Sequence, residues 1–312
     1  MKLRAIFAVA LIAISISPSQ AAVKKVVNKA ITVVAAKPLI TTTLSGSIQD
    51  QILGATSGPN AIVVTGVVES GTALGGTDGF LTAYDGKGKV SWSLRLGTAA
   101  DDFASGVTRD LLGNYWVIGA SAQLPNVIPP TATPPLLNPD GVVVDTTTVA
   151  DSTPKLLTLW KVSSAGTLLA TYTYQSAQGI YPHNLISNAS GLTASGALAD
   201  GTSFTVSIST VGEFSNFVSM TEKKINPVAI TVTPAGSATF KSFISSTTIV
   251  GVPSWKPKSS IPVVLQYAKI PTLKAAYSLK GTMNYVLYQS GMGLIVVADQ
   301  STNYAIYLFP VT

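Results

Sequence analysis

Apolar and polar residues alternate along most of this chain, in short runs broken by clusters of Gly, Asp and Ser. A period of two turns one side of each run toward a core, which is the pattern of β-strands. Segment 78–97, DGFLTAYDGKGKVSWSLRLG, predicts two strands around the hairpin Asp85-Gly86-Lys87-Gly88. Gly there accepts the positive φ that tight hairpins need. Segment 102–121, DFASGVTRDLLGNYWVIGAS, predicts a strand, a tight turn and a second strand. The two hairpins make one four-stranded unit. Looser copies of the first lie at 156–175, 202–221 and 261–281, and of the second at 52–66, 184–196 and 285–299. A four-strand unit recurring about every 45–55 residues predicts the blades of a β-propeller.

The ends of the chain carry the same pattern further. The last unit shows only three strands, near 284–289, 294–298 and 303–309. Near the other end, KPLITTTLSG at 37–46 matches the outer strands KVSWSLRLG and TLKAAYSLKG. Leu39–Ser45 is therefore expected beside Tyr304–Phe309, completing the last blade and leaving fewer open edges. Outer strands near 40, 92, 170, 217 and 276 count five blades. The unit around 225–253 is blurred: Val228–Phe243 or Phe240–Pro253 supplies its inner hairpin, and a sixth blade fits if another unit lies there. The expectation is an all-β, five-bladed propeller of four-stranded antiparallel blades, closed by its N-terminal strand. It forms a single domain over 37–312, with 22–36 as a leader or tether. A proline-rich loop at 123–154 is inserted between the second and third strands of blade two, where it is either functional or disordered.

Composition narrows the setting. With 46% apolar and only 11% charged residues, the chain suits a folded core and differs from a typical cytosolic enzyme. Residues 1–21 read as a signal peptide, with Lys2 and Arg4 ahead of the apolar run AIFAVALIAISI and a small-x-small site ending at Ala21. That run is short for a bilayer span and Pro18 interrupts it, so no membrane span is expected in the mature chain. The expectation is a secreted or cell-surface monomer cleaved after Ala21. Loss of Lys2 and Arg4 takes two charges from the net +6. The remaining excess is too small and too dispersed for a nucleic-acid partner. Cys is absent, so no disulfides hold the fold.

The unit from Asp78 to Ser121 resembles the SBBP-type β-propeller repeat of exported bacterial proteins. The matching features are the Asp-Gly-Phe strand, the Asp-x-x-Gly hairpin, a Trp-containing strand ending in Leu-Gly and the pair Asp101-Asp102. A Gly-Asn turn and the strand Tyr-Trp-Val-Ile-Gly follow. The match is good over about 78–121 and approximate elsewhere. The resemblance implies architecture and export; it brings no catalytic residues.

Candidate chemistry is sparse. Propeller strand order places Asp50, Asp101, Asp102 and the 123–154 insertion around one mouth of the central channel, with His183 near it. A concave rim of loops is where ligands are expected. Acids occupy matching positions in two adjacent blades only; Tyr181 and His183, then Asn284 and Tyr285, stand there in others. One His and no Cys cannot build a His- or thiolate-based metal site, and no cofactor motif is present, so no metal and no cofactor are expected. Trp92, Trp116 and Trp160 fall within strands and read as core between blades. Trp255, in the loop SWKPKSS between Lys256 and Lys258, is either an exposed platform for a sugar ring or a ring folded back over blade four.

The expected ligand-binding set is thus Asp50, Asp101, Asp102, His183 and Trp255, with no catalytic residue assigned. The favoured function is a non-enzymatic exported propeller that binds or scaffolds an envelope glycan or protein partner. The alternative is an extracellular glycan-active hydrolase with Asp50, Asp101 or Asp102 as acid or base.

Overall fold

A computed structural model describes residues 30–44, 50–69, 76–123, 152–220, 230–232, 239–249, 251–269, 272–289 and 292–311. The signal-peptide segment, most of the 123–154 insertion and much of the blurred region lie outside the described residues.

Two short strands come first, β1 (Val33–Ala35) and β2 (Ile40–Thr42). Blade one follows as β3 (Gln51–Gly58), β4 (Ala61–Glu69), β5 (Thr77–Asp85) and β6 (Val90–Leu96). Blade two is β7 (Asp102–Arg109), β8 (Tyr115–Ala122), β9 (Pro154–Val162) and β10 (Leu168–Gln175). Blade three is β11 (Ile180–Asn188), β12 (Gly191–Leu198), β13 (Ser203–Ile208) and β14 (Phe214–Met220). Blade four is β15 (Ile230–Val232), β16 (Thr239–Ser245), β17 (Ile261–Lys269) and β18 (Thr272–Ser278). Blade five is β19 (Thr282–Gln289), β20 (Gly293–Asp299) and β21 (Tyr304–Pro310), with β2 as its fourth strand.

The described chain is therefore all-β, with five sheets in the order of a five-bladed propeller. The hairpins at 78–97 and 102–121, expected to make one four-stranded unit, instead fall in two: β5–β6 completes blade one and β7–β8 opens blade two, because each pairs with the hairpin on its other side in the chain. In the blurred unit the inner hairpin is β15–β16, within Val228–Phe243 at its start and with Ile230 opposite Ser242. The proline-rich insertion leaves β8 at Ala122 and rejoins the sheet at Pro154, the first residue of β9. Ile40 lies opposite Ile306 and Thr42 opposite Tyr304. Tyr84 of blade one donates its hydroxyl to Thr42 Oγ1 at 3.0 Å, so β2 touches blade one as well as blade five.

One pairing lies within the expected tether. Strand β1 runs parallel to β18, with Val33 opposite Ala276, and makes blade four five-stranded. Ala36 N–H continues the contact to Ser278 O at 2.9 Å. Residues 33–42 thus cover the outer edges of two adjacent sheets, which protects strands that would otherwise pair with other chains.

The hairpins repeat one local solution. Asp85 Oδ1 accepts from Lys87 N–H and Lys89 N–H, both at 2.9 Å, while Gly88 adopts φ 81°. Asp110 does the same for Asn114 N–H at 2.8 Å, with Gly113 at φ 92°. An acid or Ser that caps the turn, with Gly at the left-handed position, is encoded within five residues.

Apolar clusters sit between blades rather than within them. Leu81, Leu96, Tyr115 and Trp160 join blades one and two; Ile118, Leu159, Leu185 and Phe204 join two and three. Phe240, Val264, Val296 and Tyr307 join four and five; Ile52, Phe80, Ile295 and Ile306 join five and one. Among the described residues no such cluster draws on both blades three and four. Instead the remaining apolar face of blade four is covered by Val252 and Trp255 from its own loop, together with Ile31 and Val33.

Four inner strands share an irregularity. The pairing of β3, β7, β11 and β19 with the next strand slips between Ile52 and Gly54, Ala104 and Gly106, Pro182 and Asn184, and Met283 and Tyr285. Each bulge frees one residue from the ladder: Leu53, Ser105, His183 and Asn284. Bulges bend the strand that carries them and re-aim its side chains. Ser105 uses its freedom to donate to the Pro182 carbonyl of the next blade at 2.5 Å.

Candidate functional site

The five residues nominated from sequence do not form one constellation. Asp50, buried ahead of β3, accepts Glu69 N–H at 2.9 Å on Oδ1 and so ends strand β4. Its carbonyl accepts the Tyr304 hydroxyl at 2.8 Å, tying blade five to blade one. Burial, with the charges of Asp299 and Asp50 added, pushes the Tyr304 phenol up to about 12. Asp101 accepts Thr77 N–H at 2.9 Å and the Thr77 hydroxyl at 3.4 Å, bracing the start of β5. Both acids are used as backbone caps.

Trp255 is not an exposed platform. The residue is 6% exposed and packs with Val263, Leu265 and Leu273 on blade four, which settles the choice in favour of the folded-back ring. The turn Trp255 N–H to Val252 O at 3.0 Å fixes the loop so that the indole points inward. Its neighbours Lys256 and Lys258 do not alter that, because the burial of a large aromatic surface outweighs what an exposed ring would gain. His183 occupies the bulge of β11 and is exposed. Partial burial of the imidazole against the neighbouring strands lowers its pKa from the ordinary value, so it is neutral at pH 7. Beside it, Tyr181 stacks on Phe103 of blade two, with ring centroids 6.3 Å apart and an 18° angle.

Asp102 differs from the rest. It is 1% exposed at the start of β7, on the side of the strand that Ala104 turns toward blade one. Thr98 N–H and the Thr98 hydroxyl donate to Oδ2 at 2.6 and 2.9 Å. Oδ1 has no hydrogen-bond partner of good geometry among the described residues. The Ser121 hydroxyl lies near enough to ease the charge, but its short contact, 2.8 Å, is with Thr158 Oγ1. Burial raises the Asp102 pKa; the hydrogen bonds oppose it, and the charge of Asp78 adds to the rise.

Asp78, at the start of β5, is 0% exposed and was not singled out by the sequence reading. Gly97 shows how close the two acids come. A Cβ on Gly97 would lie 2.7 Å from Asp78 Oδ1 and 3.1 Å from Asp102 Oδ2. The two oxygens are separated by no more than the sum of those distances. Only a residue without a side chain passes over this pair. Two carboxyls at such range in a dry setting do not both ionise readily. The signal in the sequence was an Asp beginning one strand and an Asp beginning the next inner strand, with a Gly between them. Among the described residues no group of three or more His, Cys, Asp or Glu gathers to hold a metal ion.

No family model matches the chain, and no curated protein matches it. Solved structures with a similar course of chain include the catalytic domain of the GH62 alpha-L-arabinofuranosidase of Coprinopsis cinerea. It is 10% identical at a TM-score of 0.43, over 91% of this chain and 98% of that one. An exo-beta-1,3-galactanase from Phanerochaete chrysosporium is 9% identical at 0.39, over 87% of this chain and 63% of that one. A subtype N10 neuraminidase-like protein (A/little yellow-shouldered bat) is 8% identical at 0.38, over 83% and 80%. These three are named for glycan cleavage or for likeness to a neuraminidase. On that finding the expectation of a non-enzymatic binding or scaffold propeller is corrected in favour of its stated alternative. At such scores the likeness transfers no residue role.

Proposed function

We propose that this protein is an exported, glycan-active hydrolase on a five-bladed propeller that β2 closes, with Asp102 as its acid. The observation that carries this is the carboxyl pair beneath Gly97. Burial and a like charge hold Asp102 toward its protonated form, and Asp78 lies within the summed reach of 2.7 and 3.1 Å across the Gly97 position. Glycoside cleavage needs one protonated and one ionised carboxyl on either side of the scissile bond. The nearest oxygens of the two carboxyls are thus no farther apart than that sum, which is compatible with the roughly 5–5.5 Å separation of retaining enzymes.

In a retaining reaction Asp102 gives its proton to the departing glycosidic oxygen while the Asp78 carboxylate bonds to the anomeric carbon. Water, deprotonated by Asp102, then cleaves that ester and releases the sugar with its configuration kept. Both carboxyls lie under the turn Gly97–Ala100, whose Thr98 is exposed, so this turn must lift for a substrate to reach them.

The test is an assay of the full-length chain on arabinan, galactan and sialylated glycans, with reducing ends as readout and NMR to read the anomer first released. Activity with retention is expected, and Asp102→Asn should lower it by about 10²–10⁴-fold. No release from any of these glycans, or equal rates for the Asn variant, refutes the proposal.

A further inference from the structure

We infer that the saccharide of this proposed hydrolase docks in the groove between blades one and two, not at the mouth of the central channel. This rests on the glycan-active reading above. The interface between these blades is filled at one end and open at the other. Trp92 meets Tyr115 there at 5.8 Å, and Trp160 and Val162 complete the filled end. Toward the opposite end the residues of blade two become small and hydroxylic, and a cavity of about 370 Å³ is left. That volume lies in the range of small-molecule sites.

Its chemistry fits an uncharged saccharide. Thr98, Ser121, Thr158, Thr171 and Thr173 supply hydroxyls, while Leu96, Leu156, Leu168 and Trp160 supply apolar wall. The mixture matches a sugar, which offers hydroxyls on its rim and C–H groups on its ring faces. Arg95 borders the groove, but its place opposite Phe80, between Leu94 and Leu96, turns its side chain to the other face of blade one. No charged head is thereby aimed at the bound sugar from that strand.

The groove also leads to the acid pair. Thr98 borders the cavity and donates to Asp102 Oδ2, and Gly97 borders it while passing over both carboxyls. From the outer edge inward, Thr173 lies opposite Thr158, Thr158 contacts Ser121 at 2.8 Å, and Ser121 lies opposite Asp102. This row of hydroxyls crosses all four strands of blade two and ends at the buried acid, one of whose oxygens is left without a partner of good geometry. Among the described residues the channel mouth shows no comparable arrangement, since Asp50 and Asp101 are engaged with backbone N–H groups.

Thr173→Trp tests the groove, because Thr173 is exposed on an outer strand and an indole there fills the space without disturbing the core. Thr171→Trp, on the same face, serves if the first variant fails to fold. Binding of neutral arabino- and galacto-oligosaccharides to the full-length chain is followed by saturation-transfer NMR, with His183→Ala as the channel control. The expected result is binding to the parent and to His183→Ala, and at least a tenfold loss in the Trp variant. Equal binding by parent and Trp variant, or loss only in His183→Ala, overturns the groove while leaving the glycan-active reading intact. Absence of binding and turnover in the parent overturns both.

Discussion

Replacing Ile40 by Ala should destabilise this protein far more than its place in a three-residue strand suggests. Ile40 is 3% exposed and packs among Ile52, Phe80, Tyr84 and Ile306, side chains from blades one and five. Truncation removes three carbons from that core and leaves a space that neighbours anchored on two sheets cannot fill. Substitutions of this kind cost about 2–5 kcal/mol. For a chain of this size that corresponds to a fall in melting temperature of about 5–15 °C. Val34→Ala in β1 is the matched comparison, because Val34 is 57% exposed and its ladder bonds survive. It should change stability by less than about 0.5 kcal/mol. Urea unfolding followed by tryptophan fluorescence measures both, with the slope unchanged and the midpoint shifted for Ile40→Ala alone. An unfolding free energy for Ile40→Ala within about 0.5 kcal/mol of the parent would mean that β2 is not an integral strand of blade five.

Two further outcomes concern the carboxyl pair. The raised pKa of Asp102 means that its protonated form favours the folded state; that contribution is complete below the ordinary carboxyl value of 3.8 and is lost as pH rises through the folded value. Asp102→Asn cannot ionise, so its urea midpoint should gain on the parent's between pH 4 and pH 7; a constant or opposite difference would contradict the assignment. Gly97→Ala should lower the unfolding free energy by about 1–3 kcal/mol at neutral pH, and the urea midpoint with it, because its Cβ would press on Asp78 Oδ1 at 2.7 Å. An unchanged midpoint for this variant would show that the turn and the acids are farther apart than described.

Much of the architecture was legible because strands and turns are written locally. Alternation in DGFLTAYD and VSWSLRL, and the Asp-x-x-Gly turn between them, needs only neighbours a few residues apart. The strand near residue 40 was legible for the same reason, and Ile40–Thr42 does lie beside Tyr304–Ile306. The pairing of Val33–Ala35 with β18 was not, since a parallel partner far along the chain leaves no hairpin and no composition signal. Loop SWKPKSS likewise could not say on which side its indole would settle.

The candidate site was legible only as residue types. Alternation told that Asp102 begins a strand; it could not tell that this side chain faces blade one, where Asp78 and Gly97 meet it. Nor could it show that a bulge turns His183 out of the ladder of β11. A chain's own pattern determines which residues extend and where they turn. Which side chains meet across separate sheets depends on register, bulges and the packing between blades, and those are decided when the sheets come together to bury their faces.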